Sequence, residues 1–117
     1  MASKHLSAGQ VTSLLPAGDR LVEERSAALF KGADLEVMRI VLRKDHSLSE
    51  HQVAGKITIQ CLQGSIELFV QEGATRMDQG DFLHLRGGGE RHSVRAIEHS
   101  SLLVTICLVA KVMAIKP

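Results

Sequence analysis

DHSLSEHQVAGKITIQCLQG, Asp45 to Gly64, decides how this chain folds, and GDFLHLRGGGERHSVRA, Gly80 to Ala96, answers it. Each stretch opens on turn residues, presents a histidine (His51, then His92) and joins a run of alternating apolar residues. In the first, Ile57, Ile59 and Cys61 fall on one face and Lys56, Thr58 and Gln60 on the other. That period of two marks a strand with one buried side. Two histidines on different strands of one sheet can converge on one point however far apart they stand in sequence. The pair therefore defines a candidate site.

Outward from this centre the chain reads as short strands separated by turns. Met1 to Ser13 is polar and rich in small residues, an arm rather than a core element. Pro16 and Gly18 mark a turn, and Asp19 is placed to cap a short helix through Glu24. Ser26 to Phe30 reads as a first strand. Asp34 to Arg43 is apolar on both faces, with Met38, Ile40 and Leu42 on one and Leu35, Val37 and Val41 on the other, as expected of a strand between two layers. Lys44 to Glu50 reads as a polar turn. After Lys56 to Leu62, strands are expected at Ser65 to Gln71, Ala74 to Met77, Phe82 to Arg86, Arg91 to Ile97 and Ser101 to Val109, with Lys111 to Pro117 as a further one. Glu72-Gly73, Gln79-Gly80-Asp81 and Gly87-Gly88-Gly89 supply turns. Short strands at near-even spacing with little helix point to a sandwich or barrel.

Composition narrows the function. The chain has 117 residues, enough for one domain, and a net charge of +1. Its Lys and Arg residues are scattered, and with no Trp, no Tyr and three Phe it has no aromatic platform for bases. Nucleic acid is not an expected partner. Neither is a membrane, because no segment reaches the roughly 20 apolar residues of a membrane helix. The N-terminus has no apolar leader, and a cytoplasmic location is expected. Cys61 and Cys107 stand in apolar runs without a CxxC spacing and read as reduced core thiols.

The two segments resemble the paired motifs of the cupin superfamily, small antiparallel jelly-roll barrels. There the first motif supplies two histidines and a glutamate before a glycine. The second supplies a histidine after a Gly-Asp strand and a Pro-Gly turn. Gly64 in CLQGSIEL matches the glycine, Gly80-Asp81 the opening of the second motif, His92 in RHSVRA its histidine, and His51 the first histidine. The chain looks most like short single-domain bacterial cupins, over roughly residues 17 to 109. The resemblance implies an all-β, single-domain cupin-type jelly-roll barrel with a short N-terminal helical segment. Residues 1–16 would form an N-terminal arm and residues 17–117 the barrel domain. Activity does not follow, since the fold serves isomerases, oxygenases, storage proteins and sensors. The departures are specific: Val53 stands at the place of the second histidine, Ile57 or Lys56 at that of the glutamate, and Arg86 at that of the proline.

A divalent transition metal usually takes at least three protein ligands, and His51 and His92 supply two. His84 is the next candidate, with Cys61 and Glu90 behind it. His5, His46 and His99 read as surface residues, and Lys56 near the site would repel a dication. Ser93 cannot pair with His92, because adjacent strand residues point to opposite faces. Two functions follow. One is a small-molecule-binding cupin whose pocket comprises His51, Ile57, Ile59, Cys61, His84, His92 and Val94. The other is a metal-dependent oxygenase or isomerase in which His51 and His92 hold Zn, Fe, Mn or Ni. The two-sided apolar strands also predict a homodimer, with the N-terminal segment as the competing cover.

Overall fold

The computed structural model describes residues 5–51, 55–71, 73–87 and 90–108, with the backbone alone at 49–51. Among these residues a 3₁₀ helix at Gly18–Glu23 precedes nine strands. They are β1 (Ala27–Lys31), β2 (Leu35–Leu42), β3 (Ser47–His51), β4 (Ile57–Gln63), β5 (Ser65–Val70), β6 (Gly73–Asp78), β7 (Phe82–Leu85), β8 (His92–Ala96) and β9 (Ser100–Cys107). They form two antiparallel sheets, one in the order β1-β2-β9-β4-β7 and one in the order β3-β8-β5-β6. Consecutive strands change sheet at every connection except β1–β2 and β5–β6, which is the jelly-roll pattern. No helix of the described residues is long and apolar enough to cross a membrane.

The alternation read from the sequence sets the core. Ile57, Ile59 and Cys61 of β4 meet Ile66 and Leu68 of β5, Met77 of β6, Val94 and Ala96 of β8, and Leu102, Val104 and Ile106 of β9 in one buried cluster. Each fully buried aliphatic side chain contributes about 1.5–3 kcal/mol. In β2, Met38 and Ile40 pack against this cluster and Leu42 belongs to it, while the outer residues Val37, Arg39 and Val41 are half-buried. The N-terminal segment reaches that outer side: Arg39 donates to the Ser13 carbonyl at 2.7 Å, and the Val41 N–H donates to Ser26 Oγ at 2.8 Å. The arm is also tied to β1 by the Leu6 N–H, which donates to the Leu29 carbonyl at 2.7 Å.

Three local expectations change. The stretch expected as a polar turn from Lys44 to Glu50 contains a strand, β3, paired with β8. Its residues, SLSEH, carry no apolar alternation: Leu48 packs against the core, and the edge strand is otherwise held by its ladder. The helix is a 3₁₀ turn with Ala17 as N-cap and no side-chain cap bond, so Asp19 lies inside the first turn instead of capping it. The strand expected from Ser26 begins at Ala27, where Ser26 turns its hydroxyl to β2. The strand expected at Lys111 to Pro117 lies outside the described residues, as does Glu72.

Candidate functional site

The connections divide the barrel into two ends. At one end lie the turns β2–β3, β4–β5, β6–β7 and β8–β9. The other end carries the start of β8 and the ends of β3 and β5, since the backbone positions of His51 and Val70 both pair with His92. Ile57 opens β4 at this second end, far from the Gly64 turn.

His92, Val94 and Ala96 alternate inward along β8, and His92 is only 4% exposed. His51 is its ladder partner in β3, reached through a bulge between Leu48 and His51. The bulge matters to the sequence argument. It resets the alternation of β3, and β3 and β4 belong to different sheets, so a parity count from His51 to Ile57 has no structural meaning. Two residues 41 positions apart still meet in one ladder, as the motif pairing implied.

The rest of the expected pocket divides. Ile57 and Ile59 are buried at 1% and 2%, and Val94 at 3%. Cys61 is buried too, but at the opposite end of β4, where its Sγ lies 3.4 Å from the Gln63 carbonyl and 3.5 Å from that of Gly64 and donates to them. Burial pushes its thiol up to about 11, the Gln63 hydrogen bond opposes this, and the charges of Asp78, Asp81 and Glu98 add to it. His84 is exposed, because Leu83 and Leu85 take the inward positions of β7 and leave Phe82 and His84 outside. Cys61 and His84 therefore do not join His92.

This bears on metal. Among the described residues no group of three or more His, Cys, Asp or Glu is placed to hold an ion. Two of the third ligands considered from the sequence fail for physical reasons: the His84 ring stands outside the sheet, and the Cys61 thiol is a protonated donor at the wrong end. The described donor set does not fit a cupin metal centre.

The turn end carries polar structure that the sequence reading passed over. The Gln63 side chain accepts from the Gly18 N–H and donates to the Gly18 carbonyl, both at 3.1 Å, and so pins the 3₁₀ helix to the barrel. The Lys44 N–H donates to His99 Nδ1 at 3.0 Å. Ser65 Oγ lies 2.7 Å from Asp78 and 3.2 Å from Glu98, and Arg76 Nε donates to Asp78 at 3.0 Å. The Ser65 and Arg76 hydrogen bonds lower the Asp78 pKa. Two adjoining clefts open here, of ≈ 420 and ≈ 380 Å³, sharing Gln63, Glu98 and His99. Their residues come from separate turns and look one by one like ordinary solvated loop positions. No spacing signal marks them.

With this geometry in hand, solved structures give the class: the chain has the cupin fold. A cupin superfamily protein from Desulfitobacterium hafniense superposes with TM-score 0.71 at 14% identity, covering 86% of this chain and 100% of that one. An RmlC-like cupin from Desulfovibrio desulfuricans gives 0.69 at 19%, covering 84% and 96%. A conserved protein of unknown function from Streptococcus pyogenes gives 0.73 at 17%, covering 95% and 97%. No protein-family model matches the chain, and no curated protein matches it. At these identities the likeness is one of fold.

Proposed function

We propose that this chain is a small-molecule-binding cupin whose ligand is received at the His92 end of the barrel. The observation that carries the reading is His92 itself: a polar, hydrogen-bonding ring, 4% exposed, on a wall whose other inward residues, Val94 and Ala96, are apolar. A largely apolar enclosure with very few polar groups is the usual make-up of a small-ligand pocket, and the polar group sets orientation. His51, its backbone ladder partner, is the other motif histidine and the second group in the proposed site.

Native mass spectrometry of untagged protein tests this, together with elemental analysis of the same sample. A co-purifying organic molecule that is lost in His92→Ala supports the reading. Stoichiometric Zn, Fe, Mn or Ni, lost in the same variant, would transfer the site to the metal-dependent enzyme class.

The proposal includes a homodimer. Phe82 is 62% exposed, on the outer side of the five-stranded sheet, and Phe30 and Leu35 remain 42% and 37% exposed on its other strands. The N-terminal segment, held at Arg39 and Val41, reaches the β2 side of this sheet, while Phe82 stands on the far edge strand. A second copy is the cover proposed for what is left open.

A further inference from the structure

We propose a second ligand site, at the turn end of the barrel, that takes a basic α-amino acid in the cleft between the Gly18–Glu23 turn and the Ile97–His99 connection. It is separate from the ligand position proposed at His92. His92 and Ile97 stand five residues apart along β8 and its extension, roughly 16 Å at strand rise.

The cleft has ≈ 420 Å³ of space, within the range of about 300–1,000 Å³ usual for small-molecule sites. Part of its polar lining is fixed before any ligand arrives. His99 Nδ1 accepts the Lys44 N–H at 3.0 Å, so that nitrogen carries no proton and the neutral ring has its N–H on Nε2, a donor of fixed identity. The two-way Gln63–Gly18 bond holds the opposite wall. Ser100, fully buried, accepts the Ser65 N–H at 3.0 Å and donates to the Glu98 carbonyl at 2.8 Å, which sets the backbone under Glu98.

The charges select the ligand. Lys44 contributes one positive charge, and Asp19 and Glu98 contribute two negative ones, leaving the cleft at −1 with His99 neutral. A simple anion would meet two carboxylates, and a simple cation would meet the Lys44 ammonium. A molecule with one carboxylate and two ammonium groups satisfies both signs and cancels the charge. Its carboxylate accepts from Lys44 and from His99 Nε2–H, and its ammonium groups donate to Glu98 and Asp19. Leu21, 3% exposed, and Val22 offer the apolar side against which a methylene stem can lie. The adjoining cleft of ≈ 380 Å³ runs past Glu98 to Ser65 and Asp78 and gives length for a side chain.

Titration of ¹⁵N-labelled full-length protein with L-lysine tests the site, read at the amides of Gly18, Lys44, Glu98 and His99. Two controls remove one charge each: L-norleucine lacks the side-chain ammonium, and 1,5-diaminopentane lacks the carboxylate. The expected result is a saturable shift with L-lysine and binding at least about tenfold weaker for both controls. Glu98→Gln, at an exposed position, should weaken L-lysine by about tenfold or more, and His92→Ala should leave it unchanged. No saturable shift up to about 10 mM L-lysine, equal shifts from either control, or an unaffected Glu98→Gln overturns the proposal. Loss of L-lysine binding in a folded His92→Ala would also overturn it, by merging the two sites.

Discussion

His51 and His92 are direct partners in the β3–β8 ladder, although β3 is an edge strand of polar sequence and β8 lies inside its sheet. The pairing puts both motif histidines at one end of the barrel, away from the turns that close the other. Because no group of three or more His, Cys, Asp or Glu is placed to hold an ion among the described residues, zinc or nickel should raise the melting temperature little at any concentration that saturates a true site. A metal bound at 100 times its Kd would add about 2.7 kcal/mol, which a thermal scan detects easily. His92→Ala should keep a β-type far-UV spectrum and lose about 1–3 kcal/mol, from a buried polar side chain removed and a small cavity left. A metal-induced rise in melting temperature that disappears in this variant would show that the site is a metal centre after all.

Gly64 and Gly80 separate backbone strain from crowding. Both have positive φ, 86° and 94°. A Cβ on Gly80 meets nothing within 4 Å, whereas one on Gly64 would run into the His99 carbonyl and Ser100 Oγ. Gly80→Ala should therefore cost about 1–2 kcal/mol for the left-handed conformation alone. Gly64→Ala should cost on the order of 2 kcal/mol more, because backbone must move in the β8–β9 connection. Urea melts of the two variants read the difference directly, and equal midpoints would contradict the close approach.

What the sequence revealed depended on how each residue is held. Strands held by packing were legible: Ile57, Ile59 and Cys61 alternate because one side of β4 is core. The β3 strand was not, because within Ser47 to His51 a single apolar residue, Leu48, meets the core and the ladder with β8 does the rest. The placement of His92 followed from its own strand, through Val94 and Ala96. That of His84 did not, since sharing parity with Phe82 left its direction open, and Leu83 and Leu85 in fact take the inward positions. The clefts at Gln63, Glu98 and His99 gave no signal at all. Only the topology, by stacking four turns at one end, makes neighbours of residues from such distant positions.

The two thiols should behave differently. Cys61 is completely buried and its pKa is pushed up to about 11, chiefly by burial, while Cys107 is half-exposed on β9. In folded protein near pH 8, iodoacetamide should modify Cys107 well before Cys61, and unfolding should level the two rates. Peptide mapping by mass spectrometry distinguishes the sites. The same shift has a stability consequence. A group whose pKa is raised by folding contributes stability in full below its unfolded value, and loses it as pH rises through the folded one. With an ordinary thiol value of 9.0 in the unfolded chain, Cys61 should weaken the fold between about pH 9 and 11. Cys61→Ala should be less stable at neutral pH and should lose less on going to pH 11. A parallel loss in both proteins would assign the alkaline effect to other groups.

The proposed homodimer can be tested through the residue that most exposes the outer sheet. Phe82 pairs with Gln60, and Gln60 pairs in turn with Leu103 on β9, so the row leads from the edge of the sheet to its centre. Beyond Leu103 the row reaches Arg39, which already donates to the Ser13 carbonyl of the N-terminal segment. Cover from the same chain therefore reaches one side of the sheet, and the proposed cover from a second copy includes the Phe82 side. Light scattering coupled to size exclusion at micromolar concentration should give about twice the 12.7 kDa of one chain. Phe82→Asp should move the mass to that of one chain while leaving the far-UV spectrum unchanged, because the side chain is 62% exposed and contributes little to the core. A wild-type mass near 12.7 kDa refutes the dimer outright. A dimer that survives Phe82→Asp places the contact elsewhere, and the arm residues Val11 and Leu15, 89% and 81% exposed, are then the next to replace.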